Sequence, residues 1–180
     1  MSSDAIAIDV LADLSSVSAD AWNSLGVQSL PFLRHEFLRA LETEGCLGEE
    51  LGWLPQHLCL RDAQGQVQAA APLYLKTNSY GEFVFDWAWA DAYERNGLSY
   101  YPKLVTAIPF TPAQGPRLLA DPDHPAGIQA IKKGLVDALL AYSEKNDLSS
   151  AHFLFCESDD IEVLDQAGLM QRFDYQFHWT

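Results

Sequence analysis

The feature that most constrains the fold is a strand–helix–strand pattern in the second half of the chain. Leu104 to Phe110 is a strand candidate, and Gly127 to Lys145 is the clearest helix, with apolar side chains at helical spacing and Lys132 and Lys133 off that stripe. Ala151 to Cys156 is short and apolar on both faces, as a central parallel strand should be. Parallel strands joined by a helix require a right-handed crossover, so this region predicts a parallel pair covered by a helix.

The first half of the chain predicts a strand, two helices and a long hairpin. The predicted elements are a strand from Ala5 to Val10, a helix from Ala19 to Leu25 capped by Ser18, a helix from Phe32 to Glu44, and antiparallel strands from Leu54 to Arg61 and from Val67 to Lys76. Pro72 lies inside the last of these strands and has no N–H to donate, which predicts a bulge or a local bend there.

The end of the chain predicts one more helix and one more strand. Asp159 and Glu162 fit a capping box for a helix that reaches Ala167, and Gly168 ends it. Aromatic and polar residues alternate from Phe173 to Trp179, which is typical of a strand. Its one-sided aromatic face favours a neighbour, either a further domain or a second copy. Together the elements predict one α/β or α+β domain of three layers around a mixed central sheet.

Composition narrows the range of partners. The chain has 180 residues, which suits one domain with a sizeable core, and a net charge of -14. Its eleven basic residues are scattered, so nucleic acid and anionic membrane are poor partners. The acidity either serves solubility or attracts a cationic or amine-bearing partner.

Cysteine and histidine usage gives no sign of a disulfide framework or a metal site. Cys46, Cys59 and Cys156 are odd in number and far apart, which fits a reducing compartment. The five histidines show no metal-ligand spacing, and no stretch reaches the ~18 apolar residues of a membrane helix. The start of the chain shows no signal-peptide pattern, so we expect a cytoplasmic protein. The histidine spacing leads us to expect no metal site.

The stretch from Ser79 to Leu119 is the candidate functional region. It contains nine aromatic rings, at Tyr80, Phe83, Phe85, Trp87, Trp89, Tyr93, Tyr100, Tyr101 and Phe110. Ionisable residues are threaded among them, at Glu82, Asp86, Asp91, Glu94, Arg95 and Lys103. Burying an unpaired charge costs several kcal/mol, so these groups must pair, reach water or meet a ligand. The stretch therefore predicts the lining of a pocket.

Several short runs resemble one particular family. The runs are Pro31-Phe-Leu, Trp53-Leu-Pro-Gln-His57-Leu, Ala71-Pro-Leu-Tyr-Leu-Lys76, the stretch from Ser79 to Arg95, Tyr100-Tyr-Pro-Lys103-Leu, Pro109-Phe-Thr-Pro112 and Gly115-Pro-Arg117-Leu. Together they resemble the bacterial FemAB-like proteins of peptidoglycan biosynthesis or recognition, over nearly the whole chain. The element order also resembles that of the GNAT acyl-CoA N-acyltransferases.

The resemblance implies a GNAT-like acyltransferase fold with a mostly antiparallel central sheet and helices on both faces. Members of the family are longer and carry two GNAT-like halves, so residues 1–180 would be the N-terminal half. The resemblance also implies acyl-CoA as a possible donor. Relatives hold its pyrophosphate in a glycine-rich loop. The matching segment here, Ala120 to Gly127, has two aspartates, two prolines and one late glycine, so a phosphate-binding loop is not recognisable.

The chemistry of acyl transfer then suggests roles for the aromatic and acidic residues. The base is Asp86, Asp91 or Glu82, with its pKa raised among the rings, and the proton donor is Tyr93, Tyr100 or Tyr101. The substrate-binding candidates are Glu82, Trp87, Trp89, Glu94, Arg95, Tyr101 and Lys103. The alternative is that the acids pair with Arg95 and Lys103 and hold a long loop in place.

Two classes of function follow. The first is an acyl or aminoacyl N-acyltransferase domain that forms the groove for an acceptor substrate, a peptide or another amine. The second is a recognition or structural half-domain without catalysis, which binds a peptide, a glycan or a partner domain. Binding of coenzyme A separates the two classes.

Overall fold

The computed structural model describes residues 6–84 and 86–175, and their strands form two four-stranded sheets. The strands are β1 (Ala7–Leu11), β2 (Trp53–Pro55), β3 (His57–Arg61), β4 (Val67–Ala71), β5 (Leu73–Lys76), β6 (Lys103–Thr106), β7 (Leu119–Ala120) and β8 (Ala151–Phe153). The first sheet has the order β1-β3-β4-β7 and is antiparallel throughout. The second has the order β2-β5-β6-β8, and only the pair β6 and β8 is parallel.

The two sheets replace the single central sheet that the sequence predicts. The long hairpin is present, but both of its strands are interrupted at the same level, by Gln56 and by Pro72. The Gln56 N–H donates to the Leu73 carbonyl at 2.8 Å, whereas Pro72 has no N–H for the ladder. The predicted bend at Pro72 is confirmed. It divides the hairpin, so that one half pairs in each sheet.

The described residues also form five α-helices. They are α1 (Ala19–Asn23), α2 (His35–Thr43), α3 (Trp87–Arg95), α4 (Ile128–Lys145) and α5 (Ser158–Gln166). Two short 3-10 helices, Leu14–Ser16 and Pro31–Leu33, precede α1 and α2. Helices α1 and α2 pack on one face of the first sheet through Trp22 and Leu38, while α4 and α5 pack across both sheets through Leu135, Leu139 and Val163. The described chain is therefore a mixed α/β domain with helices on both faces of its first sheet.

Several predicted elements are confirmed. The first strand, the two early helices and the long helix α4 lie where the sequence places them, and the Ser18 hydroxyl caps α1 by accepting from the Ala21 N–H at 3.2 Å. The strand at Ala151 is parallel to β6 as expected, and among the described strands it has β6 as its one neighbour.

Other predictions are wrong. Lys132 was expected off the apolar stripe of α4, yet it is 4% exposed because its amine reaches the buried Asp160. The capping box at Asp159 does not form, since Glu157 is the N-cap residue of α5 and makes no side-chain cap. Helix α3 and the two-residue strand β7 were not predicted. In the predicted C-terminal strand, 173–175 have no regular structure and 176–179 lie outside the described residues.

Candidate functional site

The two faces of the second sheet differ in chemistry. On one face, Leu73 and Leu104 join the apolar core under α4. On the other face, the paired strands place Trp53, Lys76 and Lys103 in one row across β2, β5 and β6. Both lysines have no exposed surface. Because a buried ammonium is stable only with partners, this face must supply them.

Lys103 is the centre of that buried polar group. Its Nζ donates to Glu82 Oε2 at 2.8 Å, to Asp86 Oδ2 at 2.5 Å and to Ser79 Oγ at 3.3 Å. All three partners lie in the segment between β5 and α3, which the lysine ties to the sheet. Glu82 and Asp86 are 2% and 4% exposed, so both ion pairs are screened from water.

Two tyrosines complete this group. The Tyr100 hydroxyl donates to Asp86 Oδ2 at 2.6 Å, and the hydroxyls of Tyr101 and Ser79 lie 2.7 Å apart. The Lys103 amine also lies 5.0 Å from the centre of the Tyr100 ring and 5.7 Å from that of Tyr101, within the range of cation–π attraction. We call Ser79, Glu82, Asp86, Tyr100, Tyr101 and Lys103 the Lys103 cluster.

Lys76 occupies a neighbouring position with fewer partners. Its Nζ lies 3.9 Å from the centre of the Trp53 ring and donates to the Tyr80 carbonyl at 3.2 Å. Trp53 Nε1 donates to the same carbonyl at 2.9 Å. Burial is the main cause that lowers the pKa of Lys76, and the positive charge of Lys103 lowers it as well. The negative charge of Glu82 opposes both effects, and the resulting pKa is about 8. This lysine is therefore close to losing its proton near neutral pH.

The two carboxylates of the cluster differ in their protonation. Burial raises the pKa of Glu82 against the attraction of Lys103. Burial also acts to raise the pKa of Asp86. The hydrogen bonds that Asp86 accepts, first of all the one from Lys103, outweigh the effect of burial, so the pKa of Asp86 is lowered. Glu82 Oε1 and Asp86 Oδ1 are buried and have no hydrogen-bond partner among the described residues. The pKa values of the two carboxyls are therefore shifted in opposite directions.

Helix α3 presents the other candidate residues to solvent. None of its nine residues is buried, and Trp87 and Trp89 are 55% and 48% exposed. Asp91, Glu94 and Arg95 line a shallow cavity of about 170 Å³. Trp87 lies on the same side of the helix as Asp91, four residues later. This side combines an aromatic surface with charges of both signs.

The inner side of α3 meets the Lys103 cluster. The Tyr93 ring lies 5.1 Å from that of Tyr100, edge to face. Arg95 Nε donates to the Asp91 carbonyl at 3.2 Å. The structure thus brings Glu82, Asp86, Tyr101 and Lys103 together in the interior, and leaves Trp87, Trp89, Asp91, Glu94 and Arg95 on the surface of α3. The pairing of acids with Lys103, which the sequence offered as an alternative, is present.

Sequence reasoning missed Lys76 and Ser79. Lys76 was treated only as the end of a strand, yet it is the register partner of Lys103 in the adjacent strand. A lysine near the end of an otherwise apolar strand was the available signal. Ser79 carried no signal of its own, because its role depends on contacts with residues more than 20 positions away.

Three histidine and cysteine side chains are wholly or largely shielded from water. His57 is fully buried and its Nε2 lies 2.8 Å from Glu42 Oε1. Burial lowers the pKa of His152 to about 4, and burial raises the pKa of Cys156 to about 12, which disfavours a thiolate nucleophile. No group of three His, Cys, Asp or Glu side chains among the described residues is arranged to hold a metal ion.

A second buried ion cluster lies where α4 and α5 meet. Asp160 Oδ1 accepts from Lys132 Nζ at 2.7 Å, and Asp160 Oδ2 accepts from the backbone N–H groups of Arg117 and Leu118. The Arg117 side chain donates to the carbonyls of Ala113, Pro116 and Leu154. We call Arg117, Leu118, Lys132 and Asp160 the Asp160 cluster. Every oxygen of its carboxylate is used within the fold.

The segment before α4 uses its own backbone donors. The N–H groups of His124 and Gly127 donate to the carbonyls of Asp121 and His124, at 3.2 and 2.8 Å. Those of Asp123 and Ala126 donate to the side chains of Asp121 and His124. Four backbone donors of this segment are thus used within the segment itself.

Comparisons with known proteins give one match. Residues 13–180 match the model of a family described as peptidoglycan biosynthesis/recognition, FemAB-like. Neither the curated proteins nor the solved structures gave a match. In the part of the chain that the structure describes, no helix has the length and apolarity needed to cross a membrane. The family match covers all but the first twelve residues, and the chain belongs to the FemAB-like family of peptidoglycan biosynthesis or recognition.

Proposed function

We propose that this chain is a GNAT-like domain of an acyl or aminoacyl N-acyltransferase and that it forms the groove for the acceptor substrate. The observation that carries the proposal is the Lys103 cluster, a buried charged group at the base of a helix that presents aromatic and charged side chains to solvent. Such convergence of titratable and aromatic groups favours a binding site over packing alone. Family membership makes a peptidoglycan fragment the first acceptor to test.

The element order supports the GNAT-like assignment. A first strand and two helices precede an antiparallel hairpin, and the parallel strands β6 and β8 are joined through α4. Under the same proposal, this domain pairs with a second GNAT-like half or with another copy through the predicted C-terminal strand, most of which lies outside the described residues. The domain would work in the cytoplasm, where peptidoglycan precursors are made.

The cluster supplies the parts of an acyl transfer to an amine. The amine attacks the acyl carbonyl, its proton passes to a base, and the leaving group takes a proton. Glu82 is the better base, because its pKa is raised and one of its oxygens has no partner among the described residues. Asp86 instead holds the start of α3 through Lys103 and Tyr100. Asp91 and Tyr93 remain candidates on α3 itself.

The outer side of α3 supplies recognition. Trp87 offers a flat apolar surface for a sugar ring or an aliphatic side chain, and Arg95 is a donor for a carboxylate. Asp91 and Glu94 suit hydroxyl or ammonium groups of the acceptor. These groups match the chemistry of a muropeptide, which combines amino sugars, carboxylates and amines.

A recognition domain without catalysis is the second candidate. The observation that favours it is the segment before α4, whose N–H groups are occupied within the segment. An acyl-CoA donor would then bind elsewhere, and this domain would bind only a peptide, a glycan or a partner domain.

Acceptor binding is tested first, with the full chain and a defined muropeptide, N-acetylglucosaminyl-N-acetylmuramoyl tetrapeptide, by calorimetry. We expect saturable binding that falls about tenfold or more in Trp87→Ala, since stacked aromatic residues dominate such contacts. Phe32→Ala is the matched control, because Phe32 is also an exposed aromatic residue but lies before α2. Absence of binding to a folded sample would refute the acceptor groove.

Donor binding separates the two candidates. Acetyl-coenzyme A is titrated into the same chain. Saturable binding at micromolar strength, about -8 kcal/mol, supports a transferase equipped with its own donor site. Muropeptide binding without any heat from acetyl-coenzyme A supports the recognition domain.

A further inference from the structure

Helix α3 is attached to the fold mainly through its two ends. None of its nine residues is buried, whereas α2, α4 and α5 each bury at least one side chain. A helix of this length is marginal by itself in water, so its neighbours must hold it in place. One of its inward contacts, among the described residues, is that between the rings of Tyr93 and Tyr100.

Both attachments converge on Lys103. The chain enters α3 through Asp86, its N-cap residue, which accepts from the Lys103 amine. The chain leaves it toward Tyr100 and Tyr101, whose hydroxyls contact Asp86 and Ser79 of the entering segment. Residues 86–99 therefore form a loop that is closed at its base by one buried cluster. Gly97, with φ of +71°, adopts a conformation that favours glycine and ends the helix.

The base of this loop covers groups that a ligand would use. Glu82 Oε1 and Asp86 Oδ1 have no hydrogen-bond partner among the described residues, and both residues are less than 5% exposed. An acceptor bound on the surface of α3 cannot reach these oxygens while the cluster is closed. Access to Glu82 thus requires a local movement around the Lys103 cluster, of which Asp86 at the start of α3 is a part.

We propose that residues 86–99, which carry α3, are a lid latched by Lys103, and that breaking the latch opens a path to the Glu82 carboxylate. The role of Glu82 as a base rests on the proposed function, whereas the opening itself does not. Breaking the contacts of this ammonium frees Asp86 at the entry to α3, whereas the exit stays anchored through the Tyr100 carbonyl, which accepts from Ser149. The apolar core under α4 is not part of this movement, because it lies on the opposite face of the second sheet.

Hydrogen exchange of the full chain, followed by mass spectrometry, tests the latch. We expect amides of 86–99 to exchange about tenfold or more faster than those of α4, since a lid opens locally below the free energy of global unfolding. Lys103→Met should accelerate exchange in 86–99 by about a further tenfold, while the exchange rates of the α4 amides stay unchanged. Lys133→Met is the matched control, because it removes an exposed lysine that pairs with Asp137 on α4.

Two results would overturn the lid. One is exchange in 86–99 as slow as in α4. The other is an equal acceleration of both regions by Lys103→Met, which would make the cluster part of the global core. If Lys103→Met does not fold, Tyr101→Phe replaces it, because this variant removes only the hydroxyl that contacts Ser79. Acceleration confined to 86–99 is again the expected result, and none at all counts against the latch.

Chemical labelling tests access to Glu82. A carbodiimide with glycine ethyl ester modifies carboxylates that water can reach. We expect Glu82 to be labelled several-fold faster in Lys103→Met than in the unaltered chain, while the buried Asp160 is unchanged in both. Equal labelling of Glu82 would contradict the path that we propose. Muropeptide binding is measured separately, so failure of the lid and failure of the acceptor groove give different results.

Discussion

The Lys103 cluster and the Asp160 cluster are both buried, and both centre on a lysine paired with aspartate, yet they differ in how fully their polar atoms are used. The Asp160 carboxylate accepts from Lys132 and from two backbone N–H groups. In the Lys103 cluster, by contrast, Glu82 Oε1 and Asp86 Oδ1 have no hydrogen-bond partner among the described residues. The Asp160 carboxylate thus has its hydrogen bonds within the fold, whereas the Lys103 cluster leaves two buried acceptors without one.

The largest expected effect is in the saturated cluster. Asp160→Ala leaves Lys132 buried without its carboxylate and removes the acceptor for the Arg117 and Leu118 N–H groups. We expect the free energy of unfolding in urea to fall by about 3–5 kcal/mol. Asp137→Ala, which removes the exposed partner of Lys133, should cost less than about 1 kcal/mol. Equal losses in the two variants would contradict the structural role of Asp160.

Lys103→Met should cost less, although it removes a fully buried ammonium from two carboxylates. We expect a loss of about 2 kcal/mol, since local opening of α3 allows water to reach Glu82 and Asp86. The measurement is urea unfolding beside Asp160→Ala under the same conditions. A loss as large as that of Asp160→Ala would remove the difference between the two clusters.

Lys76, which lies beside Lys103 in the sheet, makes the stability of this region depend on pH. Its pKa is about 8 in the folded protein and ordinary, 10.5, when unfolded, so the folded state loses the proton first. Stability from this group therefore increases as the pH rises through 8 toward 10.5, by about 1 kcal/mol between pH 8 and 9. The charges of Glu82, Lys103 and Asp86 act on this amine, since Glu82 and Asp86 raise its pKa and Lys103 lowers it.

The measurement compares the unaltered chain with Lys76→Met by urea unfolding at pH 8 and pH 9. Other ionisable groups are common to both chains, so their contributions cancel in the difference. A difference in stability that stays constant or falls with pH would contradict the lowered pKa of Lys76.

Glu82→Gln should have the smallest effect on stability. Burial already favours the neutral form of this carboxyl, and the amide keeps an oxygen that can accept from Lys103. We expect the free energy of unfolding to change by less than about 1 kcal/mol. Asp160→Asn is the matched substitution, and it should cost clearly more, because its two oxygens accept three hydrogen bonds. The reverse order would overturn the comparison.

Sequence patterns predicted the parts of the fold that depend on local periodicity. Helix α4 carries a regular apolar stripe, and the hairpin is marked by two strand-like runs around the turn at Asp62. Helix α3 was missed because it buries no side chain, so its sequence shows no stripe to detect. The hairpin is divided between two sheets because its strands are interrupted at Gln56 and at Pro72, which lie side by side in the fold. The sequence around either residue alone does not predict that the two interruptions coincide.

The candidate site was predicted as a region, without its internal order. The mixture of rings and charges between Tyr80 and Lys103 marked the segment, and the pairing of Glu82 and Asp86 with Lys103 was only one of two interpretations. These partners are 21 and 17 residues apart, and their contact depends on the return of the chain after α3. Lys132 shows the same limit, since its buried partner Asp160 lies on another helix.

The interrupted hairpin has a consequence for how this domain can be divided. Each of its two long arms begins in one sheet and finishes in the other, so any cut that separates the sheets also severs paired strands in both. Neither sheet is a fragment that could be expressed, exchanged between proteins or reassembled as an independent module. Apart from local opening, the described chain should unfold in one cooperative transition, because the hairpin belongs to both sheets.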